Sequence, residues 1–274
     1  MRIRSTGATE GGTDRDERCE TERTRSFGAH GTKNMSDMSF TWRGESSDQH
    51  GVVVRSLPPI YSPQLRDEPI PIPGRHGSLH QQDGAYDEQL MMIEGYLPYE
   101  QSAPVSDIET IKGWLRGYGD LMLSDRPGRR YKARIVDAIA FSPWVVGFAD
   151  RIFAVSFWCD PFAYEADPDV QPITGPYIFD NIGTLPADPL IVVYGTGRVV
   201  FTVGDISITM DNMSSPVTID CEGKAAYLGD GVDGARTSIT LDQHAWPVFE
   251  LGSTRVSWTG HVSKAIVTPN WRWL

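Results

Sequence analysis

Leu190-Ile191-Val192-Val193-Tyr194-Gly195-Thr196-Gly197-Arg198-Val199-Val200-Phe201-Thr202-Val203 sets the class of fold. Two short runs rich in β-branched residues, Leu190 to Tyr194 and Val199 to Val203, flank Gly195-Thr196-Gly197. The pattern reads as strand, hairpin turn, strand. The glycines lack the Lys-Ser/Thr of a phosphate loop, so the turn reading stands against nucleotide binding. The rhythm continues through Ile206 to Met210, Val217 to Asp220, Ala225 to Leu228 and Thr237 to Leu241, with turns at Gly204-Asp205 and Gly229-Asp230-Gly231. Regular short strands punctuated by turns predict a β-sandwich over residues 166–274. A Pro- and Asp-rich stretch, Ala166 to Pro176, marks its boundary.

Upstream, residues 38–165 read as an α+β domain, mainly β with one helix. Short β-rich runs, Ser39 to Trp42 and Val52 to Val54, precede a segment crowded with Pro58, Pro59, Pro63, Pro69, Pro71 and Pro73. That density excludes a central strand and predicts an extended edge or arm. In Ile72-Pro73-Gly74-Arg75-His76-Gly77-Ser78-Leu79, Pro73 presets φ and the glycines allow positive φ, which is turn chemistry. Gln89 to Tyr96 re-enters a sheet. Ser106 as N-cap with Glu109 three residues on forms a capping box, and Ile108, Ile111, Trp114 and Leu115 repeat at helical spacing. Gly117 and Gly119 end that helix. Strands follow at Asp120 to Leu123 and Tyr131 to Ala138, joined by the turn Asp125-Arg126-Pro127-Gly128. Ile152 to Cys159 alternates Phe153, Val155 and Phe157 against Ala154, Ser156 and Trp158.

A hydrophobic content of 40% supports packed cores, and the net charge of -11 argues against a general nucleic-acid binder. Cys19, Cys159 and Cys221 make no Cys-x-x-Cys pair, so neither a disulfide framework nor a zinc site is indicated. No apolar run reaches the ~18 residues of a membrane helix. His76 and His80 are four apart, but the adjacent glycines and Pro73 rule out the helix that would pair them on a metal. There is no Gly-x-Ser-x-Gly elbow. Asp230, Asp233 and Asp242 near glycines could form a glycosidase pair or a calcium site, but loop acids in an acidic protein are the far commoner reading. No catalytic residue, metal or cofactor is therefore assigned. Trp246, Trp258, Trp271 and Trp273 could form a sugar-stacking platform. Alternatively Trp271 and Trp273, two apart on a strand, anchor a core or an interface. Residues 1–37 carry too little apolar surface to fold and are expected to be disordered. Met35 and Met38 make a start-site artefact the simplest account of them.

Several blocks occur in a telling order: Phe40-Thr41-Trp42-Arg43-Gly44, Ile72 to Leu79, Leu123-Ser124-Asp125-Arg126-Pro127-Gly128-Arg129-Arg130-Tyr131, Cys159-Asp160-Pro161-Phe162-Ala163-Tyr164-Glu165 and Trp271-Arg272-Trp273-Leu274. Together they resemble the distal tail proteins of long-tailed bacteriophages, from about Phe40 to Leu274. The resemblance implies a ring-forming domain at 38–165 and a galectin-like or carbohydrate-module-like sandwich at 166–274, closing with strands Thr254 to Gly260 and Val262 to Thr268. It also implies a homo-hexameric ring in the virion tail tip, assembled in the host cytoplasm, that passively conducts DNA. Its implied partners are the tail tube protein, a tail-associated tip protein and a receptor-binding or fibre protein, without sequence-specific nucleic-acid contact or membrane insertion. Arg75, Arg129, Arg130, Trp271 and Trp273 are the candidate assembly-interface residues. The alternative reading is a carbohydrate-binding protein that aids host-cell adhesion.

Overall fold

A computed structural model describes residues 38–98, 105–143 and 150–274. The expected leader, residues 1–37, lies outside the described residues. The chain is mainly antiparallel β with one described α-helix, as the sequence predicted.

The first half contributes β1 (Phe40–Trp42), β2 (Glu45–Ser46), β3 (Val53–Ser56), β4 (Leu65–Pro71), β5 (Ser78–Tyr86), β6 (Gln89–Leu97), α1 (Val105–Trp114), β7 (Gly117–Leu123), β8 (Arg129–Ile135), β9 (Arg151–Cys159) and β10 (Ala163–Glu165). One sheet runs in the order β2-β1-β7-β8-β9-β6-β3, with β10 beside β8. Its longest pairing lays β6 on β9, from Gln89 opposite Cys159 to Leu97 opposite Arg151. Alternation sends Phe153, Val155 and Phe157 inward, as the sequence implied. The core is aromatic. Phe40 stacks on Trp114 at 5.4 Å, and Phe157 meets Trp42 edge-on at 5.2 Å. The indole N–H of Trp114 donates to the Trp42 carbonyl at 3.2 Å, so the helix is tied to β1 as well as packed on it. The helix opens at Val105, one residue before the expected cap, and the side chains of its first turn lie outside the described residues.

The second half adds β11 (Gln171–Ile173), β12 (Tyr177–Asn181), β13 (Leu190–Val203), β14 (Ile206–Met213), β15 (Val217–Asp220), β16 (Ala225–Leu228), β17 (Thr240–Leu241), β18 (Gly252–Thr268) and β19 (Arg272–Trp273). Two expectations need correction. Gly195-Thr196-Gly197 is not a hairpin turn but lies inside one 14-residue strand, β13. Likewise, Thr254 to Gly260 and Val262 to Thr268 are one 17-residue strand, β18. The two long strands pair from Leu190 opposite Thr268 to Val203 opposite Val256, with register shifts at Tyr194/Gly195 and Thr196/Val200. The glycines serve close backbone approach: a Cβ on Gly260 would meet the Arg198 carbonyl at 2.4 Å, and one on Gly195 the His261 carbonyl at 2.7 Å. A bulge uses the same residues as a turn but bends the strand without reversing it. On one side of the bulge β13 pairs β15, and on the other β14. Both halves cover one core, which includes Ile191, Phe201, Ile208, Ile219, Phe249 and Val267. Finally β19 returns to the first sheet and pairs β10, Tyr164 opposite Arg272.

Candidate assembly surfaces

The proline-rich segment forms a hairpin of its own. Among the described residues strands β4 and β5 pair only with each other, from Leu65 opposite Tyr86 to Pro71 opposite Ser78. The six residues Ile72 to Gly77 close it, with Gly74 and Gly77 at φ +81 and +82 as their turn chemistry required. Pro69 and Pro71 offer no N–H, which blunts the hairpin's edge. Both of its faces meet solvent, including the apolar Ile70, Ile72 and Leu79. An isolated two-stranded hairpin is marginal in water. This one is braced by the ion pair of Arg66 with Asp87 at 3.1 Å and by a hydrogen bond between His80 and Asp67 at 2.6 Å. Its root is anchored where Tyr86 meets Phe162 edge-on at 5.5 Å. The segment leading to it is held by the buried Arg126, which donates to the Pro58 carbonyl at 2.7 Å and to the Tyr131 hydroxyl at 3.3 Å. The sequence had shown Arg126 only as a turn residue; nothing local announces a partner 68 positions away.

Of the candidate residues, Arg75 stands exposed at the hairpin tip. The other four gather where β19 rejoins the first sheet. The Arg129 guanidinium lies 3.4 Å from the ring centroid of Trp273, and Trp273 packs against both cores. Arg130 donates to the Glu165 carbonyl at 2.9 Å and pairs with Asp120 at 3.1 Å. Trp271 is buried inside its own chain against Phe249. Trp246 and Trp258 are half-buried on the same core, Trp258 stacked on Phe201 at 5.7 Å, so the tryptophans do not share an exposed sugar-stacking plane.

The same joint holds residues that the sequence did not single out. The Lys132 ammonium donates to both carboxylate oxygens of Glu222, at 2.5 and 2.6 Å. The Tyr164 hydroxyl donates to Glu222 at 3.3 Å, and Arg272 pairs with Asp188 at 2.8 Å. Partners 58 to 90 positions apart leave no local signal. Burial, and then Glu222 and Glu88, push the Asp160 carboxyl above its usual range despite Lys132 and Arg134 nearby. Burial likewise raises Asp188, against the opposing pull of Arg272. Burial also pushes the Cys159 thiol up to about 12, making it a core group without thiolate chemistry.

A cleft of about 530 Å³ opens at the bend of β13 and β18, lined by Tyr194, Thr196, Ser214, His261 and Ser263. Among the described residues no helix is long and apolar enough to cross a membrane.

No family profile and no curated protein matches the sequence. The fold does have a solved counterpart. The chain is similar to SPP1 Dit, whose crystal structure is described as a paradigm of the hub adsorption apparatus in phages infecting Gram-positive bacteria. The TM-score is 0.63 over 86% of this chain and 99% of that one, at 13% sequence identity. The likeness is therefore one of fold, and it spans both sheets together rather than either alone.

Proposed function

We propose that this chain is a structural hub protein of a phage tail, a ring component at the distal end of the tail tube. The observation that carries the reading is the similarity of fold to SPP1 Dit across nearly the whole of that protein. The ordered sequence blocks had pointed to the same family independently. A closed ring needs heterologous contacts, in which each copy presents one surface and receives another. The free hairpin β4–β5 is a surface of that kind. In this reading residues 38–165 build the ring, most simply a hexamer, while residues 166–274 face outward as a galectin-like sandwich toward tip and fibre or receptor-binding proteins. The role is structural, with no catalytic step. The basic run Arg129, Arg130 and Lys132 supports passive DNA conduction, because Arg130 and Lys132 are paired within the chain and Arg129 lies on Trp273. Immunogold labelling of intact virions against this chain tests the assignment. Label confined to the distal end of the tail is the expected result; label on the capsid, or none on the particle, overturns it.

A further inference from the structure

Strands β6 and β9 are apolar on the core face and mostly apolar on the other. Met91, Ile93, Val155 and Phe157 fill the core, yet on the opposite face Leu90, Met92, Tyr96, Ile152, Ala154 and Trp158 outnumber the polar Glu94 and Ser156. An antiparallel sheet with one wet face alternates apolar with polar residues. This face instead has the composition of one that is covered. Its register lays Leu90, Trp158, Arg134 and Tyr118 in a single row across β6, β9, β8 and β7. Tyr118 is 76% exposed and Met92 48%.

The row ends in a concavity of about 330 Å³ lined by Tyr118, Trp158, Lys132, Arg134 and Asp160. The two cations there are occupied, Lys132 by Glu222 and Arg134 by Glu88. Asp160 is not: among the described residues no hydrogen bond or ion pair reaches its carboxylate. It sits where β9 breaks at Pro161 before the chain resumes beside β8 as β10. Aromatic side chains next to an unpaired carboxylate suit a guanidinium, which stacks and forms charge-assisted hydrogen bonds at once.

The complementary group is on the same chain. Arg75 stands at the hairpin tip, exposed and without a side-chain partner among the described residues, flanked by the exposed Ile72 and Leu79. It cannot serve its own pocket while the hairpin stays extended. The hairpin is rooted beside Phe162, and seven residues of β4 at about 3.3 Å each carry the tip about 23 Å away.

Resting on the ring reading above, we propose that the hairpin tip of one copy docks on the outer face of β6, β9, β8 and β7 of the next. Arg75 enters the pocket of Tyr118, Trp158 and Asp160, and Ile72 and Leu79 cover Leu90 and Met92. Opposite charges and two matching, mostly apolar surfaces, both exposed among the described residues of one chain, make the contact heterologous, as ring closure demands.

Sedimentation velocity on the full chain, over a concentration series, tests this. Arg75→Glu and Asp160→Arg should each raise the midpoint concentration for assembly at least about tenfold, and the two together in one chain should restore it to within about threefold. Tyr118→Ala alters only an exposed ring and should weaken assembly without lowering the melting temperature. Combined with Arg75→Glu it should add little, because the two act in one contact. That pair carries the test if Asp160→Arg does not fold. Single variants that assemble like the parent overturn the docking and leave the ring reading standing. A parent chain that never assembles overturns both.

Discussion

Trp114 carries much of the first core, since it stacks on Phe40, meets His50 at 4.0 Å and donates to the Trp42 carbonyl. Trp114→Ala should cost roughly 3–5 kcal/mol, as large-to-small aromatic changes in cores do. A chemical denaturation curve measures it, and a parent-like midpoint would contradict the packing described. Its place was legible because helical periodicity is local. Arg126 was not, because its partners come from elsewhere in the chain. Arg126→Ala removes charge-assisted hydrogen bonds to Pro58 and Tyr131 and should cost about 3 kcal/mol. Asp160 and Asp188 give the pH dependence. Their folded pKa values lie above the unfolded ones, so the folded state binds more protons. The stability they confer is complete below the unfolded pKa, about 4 for a carboxylate, and is lost as pH rises through the folded value. Between pH 7 and about 4, the unfolded value, the acid shift should favour the parent over Asp160→Asn in melting temperature; an equal change in both would show that Asp160 is not displaced.

Among the elements, the hairpin β4–β5 and the clasp β19 make opposite predictions. The hairpin contributes little to either core, so replacing residues 67–82 by a short Gly-Ser turn should leave the melting temperature nearly unchanged and abolish assembly. Loss of folding would show that the hairpin is structural. The clasp is the reverse case. Residues 271–274 bring Trp271 and Trp273 to the cores and tie Arg272 to Asp188, so deleting them should lower the melting temperature by many degrees. Proline density marked the segment in the sequence as an extended edge or arm, because Pro residues exclude a central strand wherever the partner lies; that it folds back on Ser78–Tyr86 as a hairpin was not legible. The continuity of β13 and β18 was hidden, because Gly195-Thr196-Gly197 suits a turn and a bulge equally. Only the pairing of β13 with β18, more than fifty residues away in sequence, decides between them.

At the scale of the whole molecule, an antiparallel fold similar to that of SPP1 Dit carries two exposed surfaces, the hairpin tip and the outer face of β6, β9, β8 and β7. Composition and strand rhythm were enough for the class of fold, and the ordered blocks for the family it resembles. The site needed the structure, since a row across four strands and a tip 23 Å from its root, at about 3.3 Å per residue, have no linear signature. Heterologous self-association is the central claim. Native mass spectrometry of the purified chain over a concentration series tests it most directly. A discrete closed species at six times the 30.4 kDa chain mass, growing with concentration, is the expected result; only the 30.4 kDa species at every concentration, even with the tail tube protein added, would overturn self-association.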